Sequence, residues 1–194
     1  FLERYAPLLT ELGRATQARG VHVYYLEGNH DFLLGPALAK FGIQVVRDDC
    51  LRFTMGGRSF YIAHGDLVDQ GDLQYLRLRR FFRGNMMRTI VRLLPDRSLD
   101  WIGTTWSQKS RRSHPLPVAP HIPSVRPLYR AFAEEKVAAG FDFVILGHCH
   151  DYDGCLVSVD GRRGQYLNMG YPPISGQFVC WTADRPALLE RTAI

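Results

Sequence analysis

Three short apolar runs of this sequence each end in a polar cluster that contains glycine. They are Val21 to Leu26 before Gly28-Asn29-His30-Asp31, Ser59 to Ala63 before His64-Gly65-Asp66, and Phe141 to Leu146 before Gly147-His148-Cys149-His150. Apolar runs of this length are typical of strands. In α/β sheets, ligands collect beyond the carboxyl ends of the strands. The sequence therefore predicts one sheet with three polar clusters at the same edge.

Helical patterns precede two of these runs and give the chain its α/β rhythm. Residues 7–19 show apolar residues at helical spacing, with Pro7 tolerated in the first turn and Gly20 as the stop. Ser124 is predicted to cap a second helix, which runs to Ala139 and is ended by Gly140. Alternating helices and strands favour the α/β class.

The remaining segments are predicted to be mostly extended, apart from a short helix over 36–41. Gly56-Gly57 and Asp160-Gly161 are turn dipeptides between apolar runs, so each predicts a hairpin. The expected strands are Ile43–Val46, Leu51–Met55, Ser59–Ala63, Leu156–Val159, Gln165–Asn168, Gln177–Thr182 and a last segment near Leu188.

Residues 72–123 differ in character and are interpreted as a helical, basic cap inserted into a single domain over 1–194. Residues 73–113 contain ten Lys or Arg against two Asp, although the whole chain carries only +5. This asymmetry favours an anionic partner, whether a phosphate-bearing substrate, a lipid headgroup or nucleic acid. Nucleic acid is the weakest of these because no aromatic stacking platform is evident. A solvated helix face is the alternative.

Part of this insertion is amphipathic. Phe82, Met86, Ile90 and Leu93 fall within one arc of a helical wheel, although Gly84 interrupts the pattern. Such a face suits a peripheral contact with an anionic membrane or an acyl groove. An ordinary helical cap packed on the body of the protein explains the same pattern.

Further along, Lys109, Arg111 and Arg112 offer charge-assisted hydrogen bonds to a diphosphate, or else belong to a solvated turn.

The sequence has no apolar run of about 18 residues, so a soluble protein is expected. Its four widely spaced cysteines are expected to be free thiols in a reducing cytoplasm.

The histidine-rich clusters predict a metal site. Imidazole nitrogens with an amide oxygen suit a borderline divalent ion such as manganese, iron, cobalt or zinc. A single histidine at a strand end is more often a structural residue. Three such clusters at one sheet edge are hard to assign to chance.

GNHD, then HG, then GHxH, in this order, resembles the calcineurin-like metallophosphoesterase family. The family pattern is D-x-H, GD-x-x-D, GNH-D/E, H and GHxH. The resemblance implies a two-sheet α/β sandwich with helices outside. The first two motifs are absent before Gly28, so the chain is expected to begin downstream of the first βαβ unit. A degenerate, non-catalytic module that binds anionic lipid is the alternative.

The resemblance also implies two divalent metal ions, with Mn²⁺ foremost. By position in the motifs, Asn29, His64 and His148 would ligate one ion and His150 the other. These ions would lower the pKa of a water molecule and hold the phosphoryl oxygens for in-line attack.

Two residues of the first cluster have other implied roles. His30 is similar to the family's active-site histidine, which stabilises the phosphoryl oxygens or protonates the leaving group. Asp31 would orient the His30 ring and favour its charged form.

Within the family, GNHDFLLG and the basic insertion most resemble the UDP-2,3-diacylglucosamine pyrophosphatases of lipid A synthesis. The implied reaction converts UDP-2,3-diacylglucosamine to UMP and 2,3-diacylglucosamine 1-phosphate, in the cytoplasm or at the inner membrane surface. These enzymes often carry Arg where this chain has His30. A broad-specificity phosphodiesterase or phosphatase is the alternative.

Overall fold

The structure is a computed structural model that describes residues 2–29, 31, 33–46, 48–93, 125–183 and 185–191. The chain divides into two compact units, one from residues 1–47 and 70–116 and the other from residues 48–69 and 117–194. None of the described helices is both long and apolar enough to cross a bilayer. The prediction of one domain with an insertion over 72–123 stays a prediction.

The first unit combines helices with a small parallel sheet. Its strands β1 (Tyr24–Leu26) and β2 (Gln44–Val46) pair in parallel, with Tyr25 opposite Val45, and a short helix connects them. The described elements of this unit are α1 (Leu2–Arg19), β1 (Tyr24–Leu26), α2 (Gly35–Ala39), β2 (Gln44–Val46), α3 (Leu73–Arg83) and α4 (Asn85–Leu93).

Helix α1 is longer than the sequence predicted. It begins at Leu2 rather than at residue 7, so Pro7 lies inside the helix and not in its first turn. The prediction relied on proline as a marker of the first turn. Leu2, Glu3 and Arg4 have high helix propensity, and this extends the helix beyond the proline despite one lost hydrogen bond.

The helical nature of the basic segment is confirmed as far as residue 93. Asp72 caps α3, because its carboxylate accepts a hydrogen bond from the Tyr75 N–H at 2.9 Å. Gly84 then adopts an extended conformation and separates α3 from α4. Residues 94–124 lie outside the described part of the chain, and this range includes Lys109, Arg111, Arg112 and the predicted cap Ser124.

The second unit is built on a five-stranded mixed sheet. The elements of this unit are β3 (Cys50–Met55), β4 (Arg58–Ala63), α5 (Arg126–Ala138), β5 (Phe143–Leu146), β6 (Tyr152–Val159), β7 (Arg162–Met169), α6 (Pro172–Ser175), β8 (Gln177–Thr182) and β9 (Arg185–Arg191). The strand order of the five-stranded sheet is β3-β4-β5-β7-β6, in which β4, β5 and β7 are parallel and the two outer strands are antiparallel to their neighbours.

Side chains that alternate along β5 fill two separate cores. Val144 and Leu146 pack against helix α5, whose Ala133 and Val137 are buried one turn apart. Phe143 points to the other face and packs near strand β8. The central sheet therefore lies between a helix and a β-hairpin, as expected of an α/β sandwich with a second sheet.

Both predicted hairpins are confirmed. The turn between β3 and β4 has positive φ angles at Gly56 and Gly57, +56° and +74°. The turn between β6 and β7 repeats this at Asp160 and Gly161, with +50° and +75°. Two consecutive positive φ angles are the signature of the tight turns whose twist matches that of paired strands.

The prediction that all three polar clusters follow strands of one sheet is correct for the second and third clusters. The first cluster follows β1, which in the described residues pairs with β2 in a separate two-stranded sheet. Both strands have three residues, and an apolar pattern in so short a strand does not identify its hydrogen-bonding partner.

A carboxylate at the start of β5 fixes the edge of the sheet opposite to the histidines. Asp142 accepts hydrogen bonds from the Ser59 N–H and hydroxyl, both at 2.8 Å, and from Arg58 Nη1 at 3.0 Å. Partial burial raises the pKa of Asp142, but the hydrogen bonds from Ser59 and Arg58 outweigh burial and lower the pKa overall.

This arrangement predicts a stability difference that depends on pH. Because the pKa of Asp142 is lower in the folded state, its contribution is complete above the unfolded value of about 3.9 and is lost as the pH falls through the folded pKa. Asp142→Asn should lower the free energy of unfolding by about 1 kcal/mol at pH 7 and much less at pH 3. Urea denaturation measures both, with Asp160→Asn in an exposed turn as the control. Equal losses at both pH values would contradict this account.

Candidate functional site

Three neighbouring parallel strands end at one edge of the central sheet, and their ends carry polar residues. His64 directly follows β4, His148 comes two residues after β5, and Asn168 is the penultimate residue of β7. Leu146 pairs with Asn168 across β5 and β7, so these strand ends are level. The parallel arrangement explains how residues 84 positions apart in sequence come together.

His64 and His148 converge on the same point. Their facing ring nitrogens, Nε2 of His64 and Nδ1 of His148, lie 3.3 Å apart, and the ring planes are inclined by 69°. Two imidazole nitrogens bound to one ion at about 2.1 Å, with angles between 90° and 110°, would be separated by about 3.0 to 3.4 Å. The pair therefore has the spacing of two neighbouring ligands of one metal ion.

The loop after β5 has an unusual backbone. His148 and His150 have positive φ angles of +70° and +57°, which few residues other than glycine adopt. Strained conformations of this kind persist only where surrounding contacts hold them, and they concentrate at functional sites. This loop is held by contacts from the neighbouring strands and from helix α5.

One set of contacts joins the two histidine loops through their backbones. The Gly147 N–H donates to the His64 carbonyl at 3.1 Å, and the Tyr129 hydroxyl donates to the Gly65 carbonyl at 3.0 Å. A Cβ on Gly65 would lie 2.9 Å from the Gly147 carbonyl oxygen. Glycine is therefore required at position 65, because its φ is +101° and the two loops approach each other too closely there for a side chain.

Asn168 supports the same loop from β7. Its Nδ2 donates to the Gly147 carbonyl at 3.0 Å and to Cys149 Sγ at 3.1 Å, while its Oδ1 accepts from the Gly170 N–H at 3.1 Å. The side chain is fully buried. The sequence predicted Asn168 only as the end of a strand, so this supporting role was not expected.

This network predicts that Asn168→Leu, which keeps the volume but removes the polar atoms, destabilises the protein by about 2 kcal/mol. The Gly147 carbonyl and the Gly170 N–H would both lose a buried partner. Unfolding in urea measures the loss, and Arg163→Ala on an exposed position of the same strand is the control. A variant as stable as the control would show that these hydrogen bonds do not hold the loop.

His150 has a different environment from the other two histidines. Its ring lies against Tyr171, with centroids 4.5 Å apart and planes inclined by 33°. Across the described part of the chain, no three His, Cys, Asp or Glu side chains are grouped as a complete metal site. The assignment of His150 to a second ion stays a prediction.

Cys149 is directed towards the core rather than alongside the histidines. It packs against the cluster that includes Val144 and Tyr166, and burial raises the pKa of its thiol. Its sulfur accepts the hydrogen bond from Asn168. Packing and support of the loop account for this residue.

The first polar cluster lies in the other unit, where local contacts shape its loop. Tyr25 donates from its hydroxyl to the Asp31 carboxylate at 2.8 Å, and Glu27 accepts from the Leu34 N–H at 2.8 Å. Burial and the neighbouring Asp31 carboxylate raise the pKa of Tyr25. Asn29 is exposed, while His30 lies outside the described residues. The roles predicted for these two residues, and for Asp31, stay predictions.

Arg83 connects the basic segment to this loop. Its Nη2 donates to the Glu27 carbonyl at 2.7 Å and to the Gly28 carbonyl at 3.5 Å. From the sequence, Arg83 was expected only to contribute to the positive charge of the insertion. A carbonyl partner cannot be read from sequence, since every residue has one.

The fold and the site together define an α/β protein with a histidine pair at the carboxyl edge of its central sheet, an arrangement suited to metal-assisted chemistry. A profile of the calcineurin-like phosphoesterase family matches residues 2–152. The chain belongs to the calcineurin-like phosphoesterase family.

Several curated relatives are named UDP-2,3-diacylglucosamine hydrolase. The one from Azotobacter vinelandii is 28% identical over 161 residues, which are 81% of this chain and 64% of the relative. The one from Aeromonas salmonicida is 38% identical over 82 residues, 42% of this chain and 32% of the relative. The one from Pseudomonas putida is 26% identical over 151 residues, 78% of this chain and 62% of the relative. The chain thus spans less than two-thirds of each of these three proteins.

Proposed function

We propose that this protein is a metal-dependent hydrolase that cleaves the diphosphate of UDP-2,3-diacylglucosamine, with UMP and 2,3-diacylglucosamine 1-phosphate as products. The single observation that carries the proposal is the convergence of His64 and His148 at 3.3 Å in a chain of this family. The names of the curated relatives support the choice of substrate.

The donor atoms fit a divalent cation. His64 and His148 would bind one ion, with Asn29 as a third ligand, and His150 would bind a second. Imidazole and amide donors suit Mn²⁺ as well as Fe²⁺, Co²⁺ and Zn²⁺, so Mn²⁺ is proposed from the family resemblance. When bound, such ions supply Lewis-acid stabilisation of phosphoryl charge and a water molecule of lowered pKa.

The protein's own residues supply orientation and protons. The Gly147-to-His64 backbone bond and the buried Asn168 side chain keep the two imidazoles in place before substrate arrives. In the first cluster, His30 would protonate the leaving oxygen or stabilise the phosphoryl oxygens. Asp31, which is held by Tyr25, would orient the His30 ring.

The surfaces of helices α3 and α4 favour the proposal of a lipid-linked substrate. Apolar side chains on them are exposed in the described structure, among them Leu73, Met86 and Leu93. Arginines on the same segment, with Lys109, Arg111 and Arg112 further along, would face diphosphate or anionic headgroups. The proposed location is the cytoplasm, with peripheral contact to the inner membrane. In a vesicle flotation assay, the protein should float with phosphatidylglycerol vesicles but not with phosphatidylcholine vesicles.

Product analysis tests the proposed reaction. The intact protein with Mn²⁺ and UDP-2,3-diacylglucosamine should release UMP in proportion to the lipid 1-phosphate. Bis-p-nitrophenyl phosphate serves as a generic diester for comparison. Good turnover of the generic diester without UMP release would instead favour a broad-specificity phosphodiesterase. No turnover of either substrate would favour a non-catalytic module that binds anionic lipid.

A further inference from the structure

Two buried carboxylates follow the last histidine of the GHCH loop. Asp151 and Asp153 are only 2% and 6% exposed, whereas Tyr152 between them is 43% exposed. Asp153 lies in β6 and Asp151 directly precedes that strand, and both carboxylates reach the same helix, α5. A buried carboxylate is costly unless it is paired and hydrogen-bonded.

Helix α5 supplies a partner for each carboxylate. Arg126 Nη2 donates to Asp151 Oδ1 at 2.7 Å, and its Nε donates to the other oxygen of the same carboxylate. Arg130 binds Asp153 in the same two-pronged way, at 2.7 and 2.9 Å. The arginines are four residues apart and therefore lie on one face of the helix. The result is a ladder of two parallel arginine–carboxylate pairs.

Helix α5 makes two further contacts close to the histidine loops. Arg126 Nη2 also donates to the Tyr152 carbonyl at 3.3 Å. Tyr129, on the same helix face, donates to the carbonyl of Gly65, the residue after His64. One turn of α5 therefore contacts the segment after His150 as well as the segment after His64.

A purely stabilising role would account for these pairs, but the position of the ladder indicates more. The side chains of Arg126 and Arg130 stay 43% and 45% exposed, so solvent screens both pairs and their contribution to stability is small. Bidentate pairs do fix geometry, since both oxygens and the guanidinium plane are aligned at once. Here the Arg126–Asp151 pair anchors the residue next to His150, whose backbone is held at a φ of +57°.

We propose that Arg126 and Arg130 are positioning residues, which hold the GHCH loop through Asp151 and Asp153 so that its imidazoles are preorganised for a divalent cation. This inference rests on the proposed function, because it assumes that the loop binds metal. Outer contacts that orient ligands commonly change metal affinity by about 10- to 100-fold when removed.

The test compares Arg126→Lys with Arg58→Lys in the intact protein. Lysine keeps the charge but cannot form the two-pronged contact. Arg58 pairs with Asp142 through one hydrogen bond at the opposite edge of the same sheet, so Arg58→Lys controls for an arginine-to-lysine change in an arginine–aspartate pair remote from the histidines. Mn²⁺ affinity is measured by the electron paramagnetic resonance signal of free Mn²⁺, alongside thermal unfolding and hydrolysis of bis-p-nitrophenyl phosphate.

Arg126→Lys should weaken Mn²⁺ binding about tenfold, while Arg58→Lys should leave it within about twofold of the wild type. Arg130→Lys, which acts one pair further from His150, should have a smaller effect in the same direction. If Arg126→Lys does not fold, the Mn²⁺ affinity of Arg130→Lys tests the inference instead. If the wild-type protein binds Mn²⁺ and hydrolyses the diester, and both lysine variants bind Mn²⁺ with the same affinity as the wild type, this inference alone is overturned. A wild type without Mn²⁺ affinity would overturn the proposed function as well.

Discussion

Replacing His148 should reduce phosphoester hydrolysis at least about a hundred-fold and weaken metal binding by a similar factor, since a direct ligand should matter no less than the outer contacts that orient it. The physical reason is the 3.3 Å spacing between His148 Nδ1 and His64 Nε2. Loss of one imidazole would remove one ligand from the proposed ion. Steady-state kinetics with saturating Mn²⁺ measures this effect.

Two substitutions of His148 distinguish the effect of losing the imidazole from the effect of straining the backbone. His148 has a φ of +70°, so alanine adds backbone strain, whereas glycine accepts this conformation freely. His148→Ala and His148→Gly should therefore differ in stability but lose activity equally. His22→Ala changes an exposed histidine outside the proposed ligands and should retain wild-type rates. An active His148→Gly variant would show that the ring is not needed.

Phe60→Ala should lower the free energy of unfolding by about 3 to 5 kcal/mol, a large part of the total stability of a typical domain. Phe60 is 2% exposed at the centre of the aromatic core. Its ring stacks on Phe53 and Phe143, each at 4.8 Å between centroids, and meets Trp181 edge-on at 5.2 Å. Alanine would leave a cavity that three aromatic neighbours cannot fill without moving.

Urea denaturation checks this prediction, with Leu156→Ala as the control. Leu156 is 83% exposed on edge strand β6, so its truncation should change stability by no more than about 0.5 kcal/mol. A loss below about 1 kcal/mol for Phe60→Ala would mean that the core between β4 and β8 contributes little to folding.

Local sequence patterns predicted the elements whose cause is local. The apolar run from Phe141 to Leu146 correctly predicted a strand, since β5 spans its last four residues and all four are buried. The glycine pair at residues 56–57 predicted its hairpin, because this turn needs positive φ angles at two consecutive positions and few residues other than glycine accept them. The predicted start of α1 was wrong, because the helix propensity of the residues before Pro7 outweighed the effect of the proline.

The site was predicted in outline from residues that carry recognisable chemistry. His64 and His148 were expected to meet because parallel strands end at one edge, and they do. The supporting residues were missed because their partners depend on strand register, which the sequence does not reveal. Asn168 reaches the loop only because it pairs with Leu146, and Arg126 faces Asp151 only because α5 packs beside β6.

The central claim is that His64 and His148 hold one divalent cation between them. Anomalous diffraction from crystals grown with Mn²⁺ tests it most directly. A peak within bonding distance of both ring nitrogens, about 2.1 Å from each, is the expected result. Full occupancy of Mn²⁺ at another place, with the two imidazoles still in direct contact, would contradict it.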